Sequence, residues 1–373
     1  MAIDGYRYAF EFYSEAWERL GRQEVEIDLE PAREFARFEL LRRGTGLHRS
    51  RDERCVVVPR WNATLGPPYV RGLRVSLWQD YERVDVELPG AYFQLAAREA
   101  AARGARDRTL PTNGTLRFLV LARSTVDGAW PGATRTAPPE GGPGRRWRVR
   151  RESAPVCLVR ASLAWAQRRA AAAGEIDERD LPVFLDEGLL REVEHLARAA
   201  GGAECGGLLV GRLCRDRAGS TLFLEVTGQI PAEGAEAGPR QLTFSPEIWR
   251  ELDAAVERRG GREMRVGWWH SHPVGHWGEE APQADQEAAA APERAGEGFL
   301  SDQDLLLHRT VFPAGWCVAL VVTDPVVSPP TCTLFGWRCG VIVRRGFHLW
   351  PARGPAPSGG RRCGAGATQR LGR

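Results

Sequence analysis

Two of the chain's seven histidines stand one residue apart at the end of an apolar run, in the stretch Arg265–Pro273 that reads RVGWWHSHP. A β-strand sends residues i and i+2 to the same face, so His270 and His272 aim both imidazoles at one point. Pro273 cannot continue a paired central strand, which puts that point at the strand's end. Two neutral imidazoles and a carboxylate form a ligand set that zinc takes readily, and a catalytic zinc keeps its fourth position open. Hydrolysis at such an ion needs one more carboxylate, not a ligand, to take the proton from water. Spacing and composition alone leave Glu204, Glu225, Asp285, Asp304 and Asp324 all open for these roles.

The elements that must position these residues can be read in the second half of the chain. Leucine, valine and alanine on one side of Leu185–Ala200 predict an amphipathic helix. ECGGLLVGRL (Glu204–Leu213) and TLFLEVTGQI (Thr221–Ile230) follow as strands, the second the hairpin neighbour of the first. A helix begins at Pro246 with Ser245 as its N-cap and a glycine at its end. Next come the histidine strand, a polar stretch over 274–300, and a short helix from about Ser301. WCVALVVTDP, CTLFGWRCG and VIVRRGFHLW then complete a sheet. The order α-β-β-α-β-α-β-β-β predicts one mixed α/β layer over 180–350.

Five polar residues in this order resemble the JAMM motif of the JAB/MPN zinc metalloproteases: a glutamate on an early strand, then His-x-His-Pro, then Ser-x-x-Asp. Here they are Glu204 in ECGGLLVG, His270 and His272 before Pro273, and Ser301 and Asp304 in FLSDQDLLLH. The resemblance covers about residues 185–350 and includes the apolar strand ALVVTDP and the FGWRCG segment. It implies an MPN-like fold in which His270, His272 and Asp304 hold Zn²⁺. Glu204 would act as general base and Ser301 as a donor to the developing oxyanion. The implied activity is isopeptide or peptide cleavage after the C-terminus of a ubiquitin-like modifier, in the manner of bacterial deubiquitinase-like enzymes. Partners would be that modifier, its conjugates, and cognate activating or conjugating enzymes. A metal-free MPN scaffold and a small-molecule amidohydrolase are the alternative classes.

One departure bears on the ligand set. Val274–Leu300 separate the histidine pair from the serine, where the family keeps a short gap. With a different alignment His276 or Asp285 would supply the third ligand. Asp304 is preferred because the LLLH run after it makes a helix that holds it rigidly. The acidic, alanine-rich insertion would gate or recognise substrate. Cys205, beside Glu204, reads as a core thiol rather than a nucleophile, and Ser271 and Trp269 are expected to face away from the ion.

The first half carries no catalytic cluster. Phe35–Arg43 and Ala91–Gly104 predict helices, while Cys55–Pro59, Leu73–Trp78, Val84–Leu88 and Leu116–Ala122 have strand composition. This α+β module is expected over 1–175, separate from the domain over 180–350. It includes a loop over 128–144, where glycine and proline supply nine of seventeen residues. The helix reading LAWAQRRAAAAG would close it. A disordered basic tail is expected over 351–373, with five arginines and no acid.

The 373 residues carry a formal charge of only +3. No body-wide basic field argues for nucleic acid. No run is long enough to span a bilayer, and no signal-peptide pattern opens the chain. None of the eight cysteines forms a CxxC pair, so reduced thiols and a cytoplasmic location are expected. Every residue in the Lys+Arg count of 51 is arginine. GC-rich coding bias is the ordinary cause and suits a bacterial source. An enzyme working beside lysine-conjugated proteins would also gain by offering no lysine.

Overall fold

Alternating burial organises the first sheet. β1 (Tyr6–Tyr13) and β2 (Arg19–Val25), which strand composition did not flag, form an antiparallel hairpin. β3 (Arg54–Trp61), β4 (Val70–Gln79), β5 (Glu82–Pro89) and β6 (Arg117–Ser124) join them in the order β2-β1-β6-β4-β3, with β5 also on β4. α1 (Glu30–Arg42) and α2 (Gln94–Arg106) cover this sheet, burying Ala32, Ala36, Leu40, Ala97 and Ala100 against Phe10, Leu73, Val75 and Phe93. α1 starts five residues earlier than its apolar periodicity suggests, because Pro31 sits in its first turn, where a missing N–H costs nothing.

The computed structural model describes residues 5–44, 53–62, 68–79, 82–112, 115–125, 156, 158–232, 236–238, 241–243, 245–259, 263–273, 298–323 and 331–351. The expected loop over 128–144, most of the insertion over 274–300, His276, Asp285, Asp324 and the tail after residue 351 lie outside them.

The second sheet has ten strands. Its path runs β17 (Val341–Arg345), β16 (Thr331–Arg338), β15 (Val318–Thr323), β14 (Met264–His272), β10 (Gly206–Asp216), β11 (Leu222–Pro231), β9 (Val183–Asp186), β18 (Phe347–Trp350) and β8 (Ala171–Ala173). β7 (Leu158–Ala161) pairs with β10 off this path, and β12 (Glu236–Gly238) and β13 (Gln241–Thr243) form a separate hairpin. β10 and β11 are the expected antiparallel neighbours, whereas β14 runs parallel to β15. Among the described residues four helices accompany the sheet: α3 (Leu163–Arg169), α4 (Glu187–Ala199), α5 (Pro246–Arg258) and α6 (Asp302–Val311). The architecture is α/β, with a curled mixed sheet flanked by helices. No helix among the described residues is long and apolar enough to cross a membrane.

Two expected elements come out differently. The segment VIVRRGFHLW, read as one strand, divides at Gly346 into β17 and β18, which lie far apart along the strand order. A single residue can join them only if the sheet curls. A Cβ at Gly346 would meet the Glu175 carbonyl oxygen at 2.4 Å, so glycine alone permits this crossing. LAWAQRRAAAAG is helical only to Arg169; its alanines instead form β8 on β18. Residues 158–173, expected with the first module, therefore join the larger sheet.

α1 is shared between the two cores. Ala32, Ala36 and Leu40 repeat every fourth residue and face the first sheet, while Phe38 and Leu41 on another face enter the core of the second. There Phe38 packs against Trp316, and the buried Leu41 carbonyl accepts from Arg215 Nη2 at 2.8 Å.

Candidate metal centre

β14 is central and apolar, and Val266 through Pro273 are all buried. Its two faces do different work. Trp269 enters the main core and donates through Nε1 to Gln229. Ser271, on that same face, accepts from the Cys205 backbone N–H at 3.0 Å, and its own N–H donates to the Cys205 carbonyl at 2.8 Å. The opposite face carries Trp268, His270 and His272 in succession. Both histidines are 1% exposed, and their Nε2 atoms lie 2.8 Å apart.

Asp304 arrives on α6. Ser301 caps this helix reciprocally: its hydroxyl accepts from the Asp304 N–H, while its own N–H and O–H both donate to Asp304 Oδ2 at 2.8 Å. This capping box fixes the carboxylate's rotamer. The same Oδ2 lies 3.4 Å from His270 Nε2 and 3.6 Å from His272 Nε2. Across the insertion of 274–300, the two segments bearing the motif therefore converge.

Glu204 sits two residues before β10 rather than within it, 4% exposed, with Oε1 4.0 Å from His272 Nε2. The pair of hydrogen bonds between Cys205 and Ser271, one to the serine hydroxyl and one between backbones, holds it at that place. Phe299, at the described end of the insertion, packs its ring 4.7 Å from that of His272. Gly298 anchors this end by donating its N–H to Thr333 Oγ1 at 3.0 Å.

The cluster fits a small divalent ion. The two Nε2 atoms and Asp304 Oδ2 form a triangle whose corners all lie about 1.9 Å from one central point, close to the roughly 2.0–2.2 Å bonds of zinc to nitrogen and oxygen. Two imidazole nitrogens at 2.8 Å need either a shared proton or a shared cation between them. His270, His272 and Asp304 thus constitute a buried group able to hold a divalent metal such as Zn²⁺.

Electrostatics separate the carboxylates. Burial alone would raise Asp304, but the charges and hydrogen bonds of His270 and His272 override it and hold that carboxyl well below the ordinary range. Glu204 moves the other way: burial pushes it up to about 7, with a further rise from Asp304, against a lowering by His270. Burial disfavours charge on both imidazoles. Asp304 nevertheless raises His270, whereas burial and the neighbouring His270 lower His272. One carboxylate is set as a permanent anion, the other as a group that exchanges its proton near neutrality.

Sequence alone assigned no role to Trp268, Phe299 or His308. Periodicity could have indicated two of them, since Trp268 is two residues before His270 and His308 is four after Asp304. Cys205 places its thiol 3.5 Å from the Ser271 hydroxyl, and burial pushes its pKa up.

No family model matches this chain, and no curated protein does. One similar solved structure is the solution structure of protein DSY2949 from Desulfitobacterium hafniense, at 20% identity over 45% of this chain and 93% of that one. Its TM-score of 0.30 is too low to support an inference about fold or function.

Proposed function

We propose that this chain is a zinc-dependent hydrolase of the JAB/MPN type, acting on the isopeptide or peptide bond that follows the C-terminus of a ubiquitin-like modifier. The observation that carries the reading is the convergence of His270, His272 and Asp304 on one point, with Glu204 beside it and outside the ligand triangle. That division into three ligands and one separate buried carboxylate is what metal-assisted hydrolysis requires.

A divalent ion held there supplies Lewis acidity and makes water a better nucleophile near neutral pH. Glu204 takes the proton from that water and passes it to the leaving amine. Burial raises the Glu204 carboxyl above the ordinary range, which makes it a better proton acceptor than an exposed glutamate. Asp304 keeps its negative charge throughout, held by the Ser301 N–H even if the serine hydroxyl turns away. In this reading the hydroxyl turns toward the developing oxyanion of the substrate carbonyl. Phe299 packs against His272 and so borders the ligand cluster.

The reading is tested with purified full-length chain, its metal content measured, on a modifier fused through its C-terminus to a reporter. The expected results are near one zinc per chain, cleavage at the junction, and a Glu204→Gln variant that keeps its zinc but loses activity by at least ~100-fold. Metal-free protein would indicate a scaffold. Zinc-loaded protein that cleaves small amides but no modifier fusion would indicate a small-molecule amidohydrolase. Full activity in Glu204→Gln would remove the base from this scheme.

A further inference from the structure

Beneath the three candidate ligands lies a second contact between the same two elements. Trp268, two residues before His270 on β14, shares its face; His308, four residues after Asp304 on α6, shares the face of the aspartate. The indole Nε1 of Trp268 donates to Nδ1 of His308 at 3.2 Å, fully buried. Two strand residues span about 6.6 Å and four helical residues about 6.0 Å, so the two contacts are successive rungs between strand and helix. The upper rung is His270 with Asp304, the lower Trp268 with His308. They are joined along the strand, because the His270 ring stacks on the Trp268 indole at 4.5 Å with 9° between planes.

Chemistry fixes the direction of the lower rung. Indole is a donor only, so Nδ1 of His308 must be the acceptor and the ring proton sits on Nε2. That Nε2 has no hydrogen-bond partner among the described residues and lies within a fully buried side chain, close to Phe312 and Trp337. An unpartnered buried N–H is a cost that leucine or phenylalanine would avoid. Packing alone does not call for a histidine here; an acceptor for Trp268 does.

We propose that Trp268 and His308 are positioning residues for the ion, a paired spacer that sets the distance and orientation between the strand bearing both imidazoles and the helix bearing the carboxylate. The proposal rests on the metal-site reading above. Deleting the donor or the acceptor frees α6 to shift against β14, so the three ligand atoms no longer meet at one point.

Co²⁺ is the probe, since its visible absorption reports coordination geometry and its affinity can be measured by competition with a chromophoric chelator. Trp268→Phe keeps an aromatic platform and removes the donor; His308→Phe removes the acceptor; His308→Asn returns an oxygen near the Nδ1 position. Each phenylalanine variant is expected to bind Co²⁺ at least ~10-fold more weakly, within the ~10–100-fold range for residues that orient ligands. Their absorption bands should shift. The double variant should be no weaker than the worse single one, because both remove the same bond, and His308→Asn should recover most of the affinity. Wild-type affinity and spectrum in Trp268→Phe would overturn the proposal, and so would independent, multiplying losses in the double variant. If His308→Phe does not fold, Trp268→Phe decides alone. Failure of the wild-type chain to bind Co²⁺ would instead sink the metal-site reading itself.

Discussion

At the residue scale the site sorts four clustered side chains into groups that favour different protonation states. Asp304 is surrounded by donors, namely the Ser301 N–H and O–H and the two imidazoles, and stays ionised. Glu204 has burial without comparable donors and keeps its proton to about pH 7. A carboxyl raised in this way binds its proton more tightly folded than unfolded. Its contribution to stability is therefore whole below about pH 4.5 and lost as pH rises through about 7. In chelator-treated protein, Glu204→Gln should match the parent near pH 4.5 and exceed it by about 2–3 kcal/mol at pH 8; denaturant titrations at both pH values check this. The ligands follow the opposite logic. Asp304 raises His270, so protons compete with an arriving ion there more strongly than at an ordinary imidazole, and metal affinity should climb about tenfold or more between pH 6 and pH 8. A flat Co²⁺ affinity over that range would contradict the assignment of His270.

At the element scale, precision comes from short polar ties between backbone segments. The end of β14 and the start of β10 are locked where Ser271 and Cys205 exchange two hydrogen bonds, and Glu204 is the next residue along. Ser271→Ala should cost about 1–2 kcal/mol from the lost acceptor. Because the imidazoles lie on the other strand face, metal content should hold while kcat falls. Loss of metal along with kcat would show that the clamp supports the ligands as well. α6 is tied in the same way at its N-terminus by the Ser301 capping box. Arg309 of this helix reaches the Asp28 carbonyl of the first module and lies over its Tyr92 ring, and Arg98 of that module pairs with Asp302. The helix that bears Asp304 is thus braced on its far side by a module with no candidate ligand of its own.

At the scale of the whole molecule, α1 couples the two cores. Phe38 is buried in the second core, and a Cβ at Gly315 would come within 2.7 Å of its ring, so the fit leaves no slack. Phe38→Ala should destabilise the chain by about 3–5 kcal/mol. Wild-type unfolding should follow a single transition when tracked by tryptophans of either module, such as Trp78 on β4 and Trp316 against the second core. Two separated transitions would show that the modules unfold independently and that the brace on α6 is weak.

Type, order and local periodicity settled much about this protein before any coordinates. The i, i+2 spacing put His270 and His272 on one face, the Ser301 cap began a helix that places Asp304 in its first turn, and apolar runs marked β10, β14 and β15 as core strands. These features are local, set by backbone geometry within a few residues. Tertiary structure alone brought the described acids Glu204 and Asp304 to the histidine pair, because that meeting depends on strand order and on the return of the chain after a long insertion. It also decided that Gly346 splits a strand across a curled sheet, that residues 158–173 join the larger sheet, and that β1 and β2 exist at all. Such outcomes rest on contacts between residues far apart in the chain, and their energy has no signature in any short window of sequence.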